Sequence, residues 1–366
     1  MRFSLVLLAG LLVQLVSPAS WAQKPLHIAV ISSYHAEYQW SQGTNVGLTR
    51  GLIDFGYLDN HEQAQAFTEQ GRISNERIEM RKYWMDTKRK SSELEIANTL
   101  ATIVAQLEEF APDILLLGDD NAANYVGNYY LDTTIPIVFW GVNGTPLKYG
   151  LLDSIERPGH NVTGIYQKNY YAENLQLLLR LAPDVKRVAI LSDDSATGRT
   201  HSKLFRKAVE ASKMPIELLE SVNTNDFASW KTRAARLAQQ VDAFLISTLY
   251  TIRNERGDTL SDDEILRWYL KHIAKPEAVA PINLVRSGML ASVFDSPYKQ
   301  GYETARVAHR ILGGGEKPAD IEAYAPQHGG YVVNRWRAGQ LGLSDRLDAD
   351  PDAFHELIDD HVVLDP

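Results

Sequence analysis

The chain contains no cysteine in 366 residues. Disulfide staples are excluded, and so is the acylated cysteine of a lipid-anchored lipoprotein. Positive charge is also in short supply. Thirty-seven Lys and Arg face 46 Asp and Glu, for a net charge of −9. That sign argues against nucleic acid and anionic membrane surfaces as partners. Long apolar runs are nearly missing. The stretch Phe3 to Val16 is short for a membrane span, and no stop-transfer segment follows it. Catalytic signatures are absent as well. There is no His-Glu-x-x-His metal spacing and no Gly-x-Ser-x-Gly elbow. Gly313-Gly-Gly315 follows a helix pattern rather than preceding one, so it is not a phosphate loop. No enzyme nucleophile, metal or cofactor is expected from these residues.

What is present begins with a secretory leader. Arg2 supplies the positive start, Phe3 to Val16 the apolar core, and Ser20-Trp21-Ala22 the small residues before Gln23. Residues 1–22 are therefore expected to be a cleaved signal peptide, and the mature protein to be periplasmic. The remaining length suits two lobes at roughly 150 residues each.

Beyond the leader, short apolar runs alternate with amphipathic ones. Leu26 to Ser33, Asp113 to Gly118 and Pro136 to Trp140 are apolar enough to be strands covered on both faces. Ser92 to Phe110 carries Leu94, Ala97, Leu100, Ile103, Val104 and Leu107 on one helical face, and Pro112 stops it. The rhythm repeats from Asn161 to Tyr166, Val185 to Leu191, Ile216 to Val222 and Ala243 to Ser247, with helix-length segments between. Strands separated by such crossovers imply βαβ units and parallel sheets. The expected fold is α/β, with two doubly wound parallel-sheet lobes joined by a hinge. The first lobe is expected to hold residues 23–145 plus about 281–312, and the second 146–280. Residues 313–366 are expected to pack on both.

Four segments carry a family resemblance across roughly residues 26–343. The first is Pro136-Ile-Val-Phe-Trp-Gly-Val-Asn-Gly-Thr-Pro, continuing to Gly164, read as crossing from one lobe to the other. The second is Leu181-Ala-Pro-Asp-Val-Lys-Arg-Val-Ala-Ile-Leu191. The third is Gly288-Met-Leu-Ala-Ser with Asp295 and Gly301. The fourth is Val332-Val-Asn334 with Ala338 and Gly342-Leu343. Together they resemble the ABC-transporter substrate-binding proteins whose best-known members carry tryptophan or related small solutes. The resemblance implies the type I periplasmic-binding fold, hinge closure and an inner-membrane ABC permease as partner. One segment departs from the amino-acid importers. Tyr34-His35 with Tyr38 and Trp40 makes an aromatic first loop, which resembles extracytoplasmic sensor modules of bacterial receptors. A periplasmic sensor feeding a membrane receptor is thus the second expectation. An exported enzyme on the same fold is a third, without a catalytic constellation to support it.

In open α/β sheets ligands bind beyond the carboxyl ends of the strands. That rule selects Tyr34, His35, Tyr38 and Trp40 after the first strand, Asp119 and Asp120 after the third, and Trp140 and Asn143 after the fourth. In the second half it selects Tyr166, Asp193, Thr248 and Tyr250, with Asp295 in the returning segment. The rings could wall a planar or cationic solute. Asp119 and Asp295 could pair with an ammonium group, and Asn143 or Thr248 could take a carboxylate. The expected ligand is a small amine or zwitterion with an apolar or aromatic body. Structural roles compete at several positions. Trp40 could staple a helix to the sheet, Asp119 or Asp120 could cap one, and Asp193 to Gly198 could be a capping turn.

Overall fold

The computed structural model describes residues 24–90, 92–213, 215–350 and 353–362. The expected leader, residues 1–22, lies outside them. Alternating apolar strands and amphipathic helices build the first half: β1 (Leu26–Ser32), α1 (Gln39–Asp54), α2 (His61–Gln70), β2 (Arg72–Ser74), β3 (Ile78–Trp84), α3 (Glu93–Phe110), β4 (Ile114–Gly118), α4 (Asp119–Asn121), β5 (Ile137–Val142) and β6 (Val162–Tyr166). The second half continues with α5 (Tyr171–Leu181), β7 (Arg187–Ser192), α6 (Ala196–Glu210), β8 (Glu217–Asn223), α7 (Phe227–Ala238), β9 (Ala243–Ile246), α8 (Asp262–His272), β10 (Glu277–Val279), α9 (Ile282–Arg286) and β11 (Ala291–Phe294). The chain ends with α10 (Pro297–Leu312), β12 (Gly330–Asn334), α11 (Arg335–Gln340), α12 (Ser344–Asp348) and β13 (Glu356–Ile358).

Two sheets result. The first runs β2-β3-β1-β4-β5-β6 and the second β13-β12-β11-β10-β9-β7-β8. Both are mainly parallel, with β2 antiparallel to β3 and β12 antiparallel to β11. The expected two-lobed α/β architecture is what forms.

Strand periodicity sorts the first core onto two faces. Ile28, Val30, Leu116, Val138 and Trp140 pack towards α1 and α10, against Leu48, Leu52, Ala305 and Ala308. Ala29, Ile31, Leu115, Leu117 and Phe139 pack towards α3, against Ile103, Leu107 and Phe110. Helices α1 and α10 touch backbone to backbone. A Cβ on Gly47 would meet the Tyr298 carbonyl, and one on Gly301 the Thr44 carbonyl.

Three strand assignments differ from expectation. Residues 162–166 do not open the second sheet. The Pro158-Gly159 turn brings β6 back beside β5, pairing Ile137 with Val162 and Phe139 with Gly164. The segment 136–164 therefore stays in the first lobe. Conversely, β11 joins the second sheet next to β10, although the return after Pro281 was expected in the first lobe. Of residues 281–312 it is α10 that goes back, packing on α1, and residues 321–324 follow it onto β6. Finally, residues 313–366 do more than cover the lobes, since β12 and β13 extend the second sheet.

The chain thus passes between lobes at three places: 167–170, 295–296 and 325–329. These crossings are tied together. The Lys168 N–H donates to Asp295 Oδ2 at 3.1 Å. Tyr170 OH donates to the Pro326 carbonyl at 2.9 Å. Lys299 Nζ donates to the His328 and Gly329 carbonyls at 3.0 and 2.9 Å.

Candidate functional site

A cleft of about 600 Å³ opens where the carboxyl ends of β1 and β11 face one another beside the crossings. The first lobe contributes His35, Glu37, Tyr38, Gln39 and Trp40 from the loop that starts α1. The second contributes Ile282 and Arg286 from α9 and Phe294 and Asp295 from the end of β11. Lys168, Asn169 and Tyr170 of the first crossing close the side. The volume suits a small organic molecule. A larger groove of about 1010 Å³ lies elsewhere, against α1, α2 and α10, and takes no residue from the end of β1 or β11.

Trp40 is fixed by a buried carboxylate. Its Nε1 donates to Asp119 Oδ1 at 2.7 Å. Asp119 adopts a left-handed backbone, φ 68°, directly after β4. It is 2% exposed, and its Oδ2 has no hydrogen-bond partner. Burial pushes its carboxyl up to about 8, against the pull of the Trp40 bond and of Lys88 and Lys82. Gly141 allows this arrangement. It has φ 69°, and a Cβ there would press on Asp119 Oδ1.

Asp295 faces both the cleft and the hinge. Gln300 Nε2 donates to Asp295 Oδ1 at 3.1 Å and to the Tyr166 carbonyl at 3.1 Å. Gln300 Oε1 accepts the Gly141 N–H at 3.0 Å. One fully buried amide therefore joins the ends of β5 and β6 to the second crossing. Burial raises the Asp295 carboxyl to about 6 despite these hydrogen bonds.

Of the residues the strand-end rule selected, His35, Tyr38, Trp40 and Asp295 line the cleft. Tyr34 stands beside them, its ring 4.8 Å from that of Tyr38. Asp119 lies behind Trp40. The remaining seven do not line the cleft. Asp120 and Asn143 form a polar knot on the first lobe. Asn143 Nδ2, Lys148 Nζ and Tyr149 OH donate to the Asp120 carboxylate at 2.6, 2.9 and 2.7 Å. Burial alone would raise this carboxyl, but those donors hold it below its usual range. Trp140 is a core residue, 3% exposed, with its ring over Gly118. The alternation along β5 turns it with Val138 towards α1 and α10, away from the cleft. Tyr166 turns to the opposite face of the first sheet, beside the α3-side core.

In the second lobe Asp193 and Thr248 are buried and spent on each other. Thr248 Oγ1 donates to Asp193 Oδ1 at 3.0 Å, and Ser195 Oγ donates to the same atom at 2.7 Å. Ser195 in turn caps α6 by accepting the Gly198 N–H at 2.9 Å. The capping-turn reading is the one realised there. Tyr250 is 49% exposed and reaches towards Asn283 on α9. Sequence reasoning missed Arg286 and Lys168, the cations of the cleft. Arg286 ends a short helix after Pro281 that carries no strand-end signal. Lys168 lies two residues beyond Tyr166, and only the placement of the crossing brings it to the cleft.

Two α/β lobes around a cleft, linked by three tied crossings, make a bilobal binding protein. The chain belongs to the family described as ABC transporter substrate binding protein, whose profile matches residues 76–352. No curated protein sequence matches it. In fold it is similar to the ligand-free, open structure of a substrate binding protein with adhesive properties from Clostridium difficile. Identity there is 20%, the match covers 87% of this chain and 95% of that one, and the TM-score is 0.64. It is similar, also at 20% identity, to an ABC domain from Streptococcus pneumonia in complex with L-Trp, with 92% and 100% covered and a TM-score of 0.52. A conserved domain protein from Vibrio cholerae gives the same identity and TM-score, with 91% and 100% covered. Among the described residues no helix is long and apolar enough to cross a membrane.

Proposed function

We infer that the chain is the extracytoplasmic solute-binding component of an ABC importer, holding a small amine or amino-acid-like solute in the interlobe cleft. The observation that carries this reading is the cleft's two-sided lining. His35 to Trp40 come from one lobe, and Ile282, Arg286, Phe294 and Asp295 from the other. A solute held by both sides favours the closed arrangement, so binding energy drives hinge closure. Asp295 suits an ammonium group, and Arg286 or Lys168 a carboxylate. Tyr38, Trp40 and Phe294 supply apolar walls. The pneumococcal structure holds L-Trp, an aromatic zwitterion, which is in keeping with that set. Closure strengthens the charge pairs by excluding water. The closed form then docks on a membrane permease.

Thermal unfolding of the mature protein against amino acids, amines and nucleobases tests this. A solute at about 100 times its dissociation constant adds about 2.7 kcal/mol of stability. A panel without any shift would remove the support for solute capture. The aromatic loop from Tyr34 to Trp40 favours a second use of the same capture, reporting to a membrane receptor. A neighbouring permease and ATPase gene pair supports transport, and a lone receptor gene supports sensing.

A further inference from the structure

The rim of the cleft holds a feature that solute capture alone does not require. The rings of Tyr34 and Tyr38 stand 4.8 Å apart at an interplanar angle of 62°. The Lys88 ammonium lies over both, 4.7 Å from the Tyr34 centroid and 5.3 Å from the Tyr38 centroid. Both distances fall within the range in which a ring quadrupole attracts a cation. Among the described residues Lys88 makes no ion pair, so the two rings are its partners. Two carboxyl groups stand behind the rings. Asp119 and Asp120 act electrostatically on the Tyr34 hydroxyl, and Lys88 acts in turn on Asp119. Asp120 is neutralised by Lys148 at 2.9 Å. Asp119, buried with its Oδ2 unpartnered, holds its proton up to about 8 and adds little charge near neutral pH.

This is an aromatic cation cage filled by the chain's own lysine. The plug is easily withdrawn. Lys88 is exposed and sits on the turn between β3 and α3. Its neighbour Arg89 pairs with Glu37 at 3.3 Å and holds that turn against the loop without Lys88. Tyr38 belongs to the cleft lining as well as to the cage, so the cage adjoins the cleft.

We propose that Tyr34 and Tyr38 form the cation subsite of the cleft, that the solutes it takes are small organic cations such as alkylammonium or quaternary ammonium compounds, and that Lys88 is an internal competitor displaced by them. The proposal rests on solute capture in the cleft and adds the chemical class. An occupant of the cage lowers apparent affinity to the fraction of molecules in which the cage is free. Lys88 therefore sets a threshold, and weakly held cations fail to displace it.

The test is calorimetric titration of the full mature protein with choline and with its uncharged tert-butyl carbon analogue. The expected result is that choline binds, the analogue does not, and Lys88→Gln tightens choline about tenfold. Tyr38→Leu abolishes that binding, whereas Tyr38→Phe, which keeps a ring, retains it. Lys88→Gln lies on an exposed turn, so its melting temperature serves as a check that the fold is intact. Equal binding of the two probes, an unchanged affinity in Lys88→Gln, or no choline binding to either protein would each overturn the cage. Those results leave solute capture open to the broader solute panel. Choline binding with no shift from the amino acids or nucleobases of the panel supports the cage and restricts the solutes to cations.

Discussion

Asp295 accepts from the Gln300 amide and the Lys168 N–H on its hinge side and faces the cleft on the other. With its carboxyl raised to about 6 by burial, the residue loses its charge within a mildly acidic range. A cationic solute is therefore expected to bind more tightly as pH rises from about 5 to about 7, with Asp295→Asn flattening the profile. The lost charge-assisted contact costs about 1.5–3 kcal/mol of binding, read by titration across pH. Asp119 behaves differently because it never meets solvent. Its folded value, about 8, lies above that of the unfolded chain. The native state holds its proton more tightly. The stability this adds is fully present below about pH 4 and is lost as pH rises through about 8. Asp119→Asn keeps a side chain that tolerates the left-handed backbone and still accepts from Trp40. Relative to wild type, that variant is expected to gain on the order of 5 kcal/mol between about pH 4 and about pH 9, measured by denaturant melts. His35, Tyr38, Trp40 and Asp295 were legible in the sequence because strand ends are visible as apolar runs meeting polar turns. Trp140 was misplaced because the end of a run does not tell which face its last ring takes. Val138, two residues earlier and buried on the α1 side, settles that only once the pleat is known.

At the level of elements, Gln300 makes one rigid unit of the ends of β5, β6 and β11. It is buried and fully used: Oε1 takes the Gly141 N–H, and Nε2 reaches the Tyr166 carbonyl and Asp295. Gln300→Leu removes these bonds at nearly constant volume. Each buried group left without a partner costs about 1–3 kcal/mol. The variant is expected to melt earlier and to bind solute more weakly, because Asp295 also loses its orientation. Unchanged affinity in a folded Gln300→Leu protein would separate the hinge from the site. The individual elements could be read from periodicity, as α3 illustrates. Their sheet membership could not. The run Val162 to Tyr166 is equally apolar at the edge of either sheet, and the Pro158-Gly159 turn that returns it to β5 is a tertiary outcome. The same holds for β11, whose neighbours β10 and β12 lie on either side of it in the second sheet.

For the whole molecule, three tied crossings permit the lobes to move as bodies while keeping Asp295 and Lys168 in register. The cleft between them is small enough for both lobes to contact one solute. The large groove beside α1, α2 and α10 is the competing location, and it belongs to the first lobe and the third crossing alone. A solute bound there would have no means of drawing the lobes together. The decisive measurement is a crystal structure of the mature protein with whichever solute stabilises it most. The solute is expected between Trp40 and Phe294, with Asp295 within hydrogen-bond distance and the lobes closed. Density for that solute in the groove beside Tyr298, with the cleft open and empty, would contradict solute capture between the lobes.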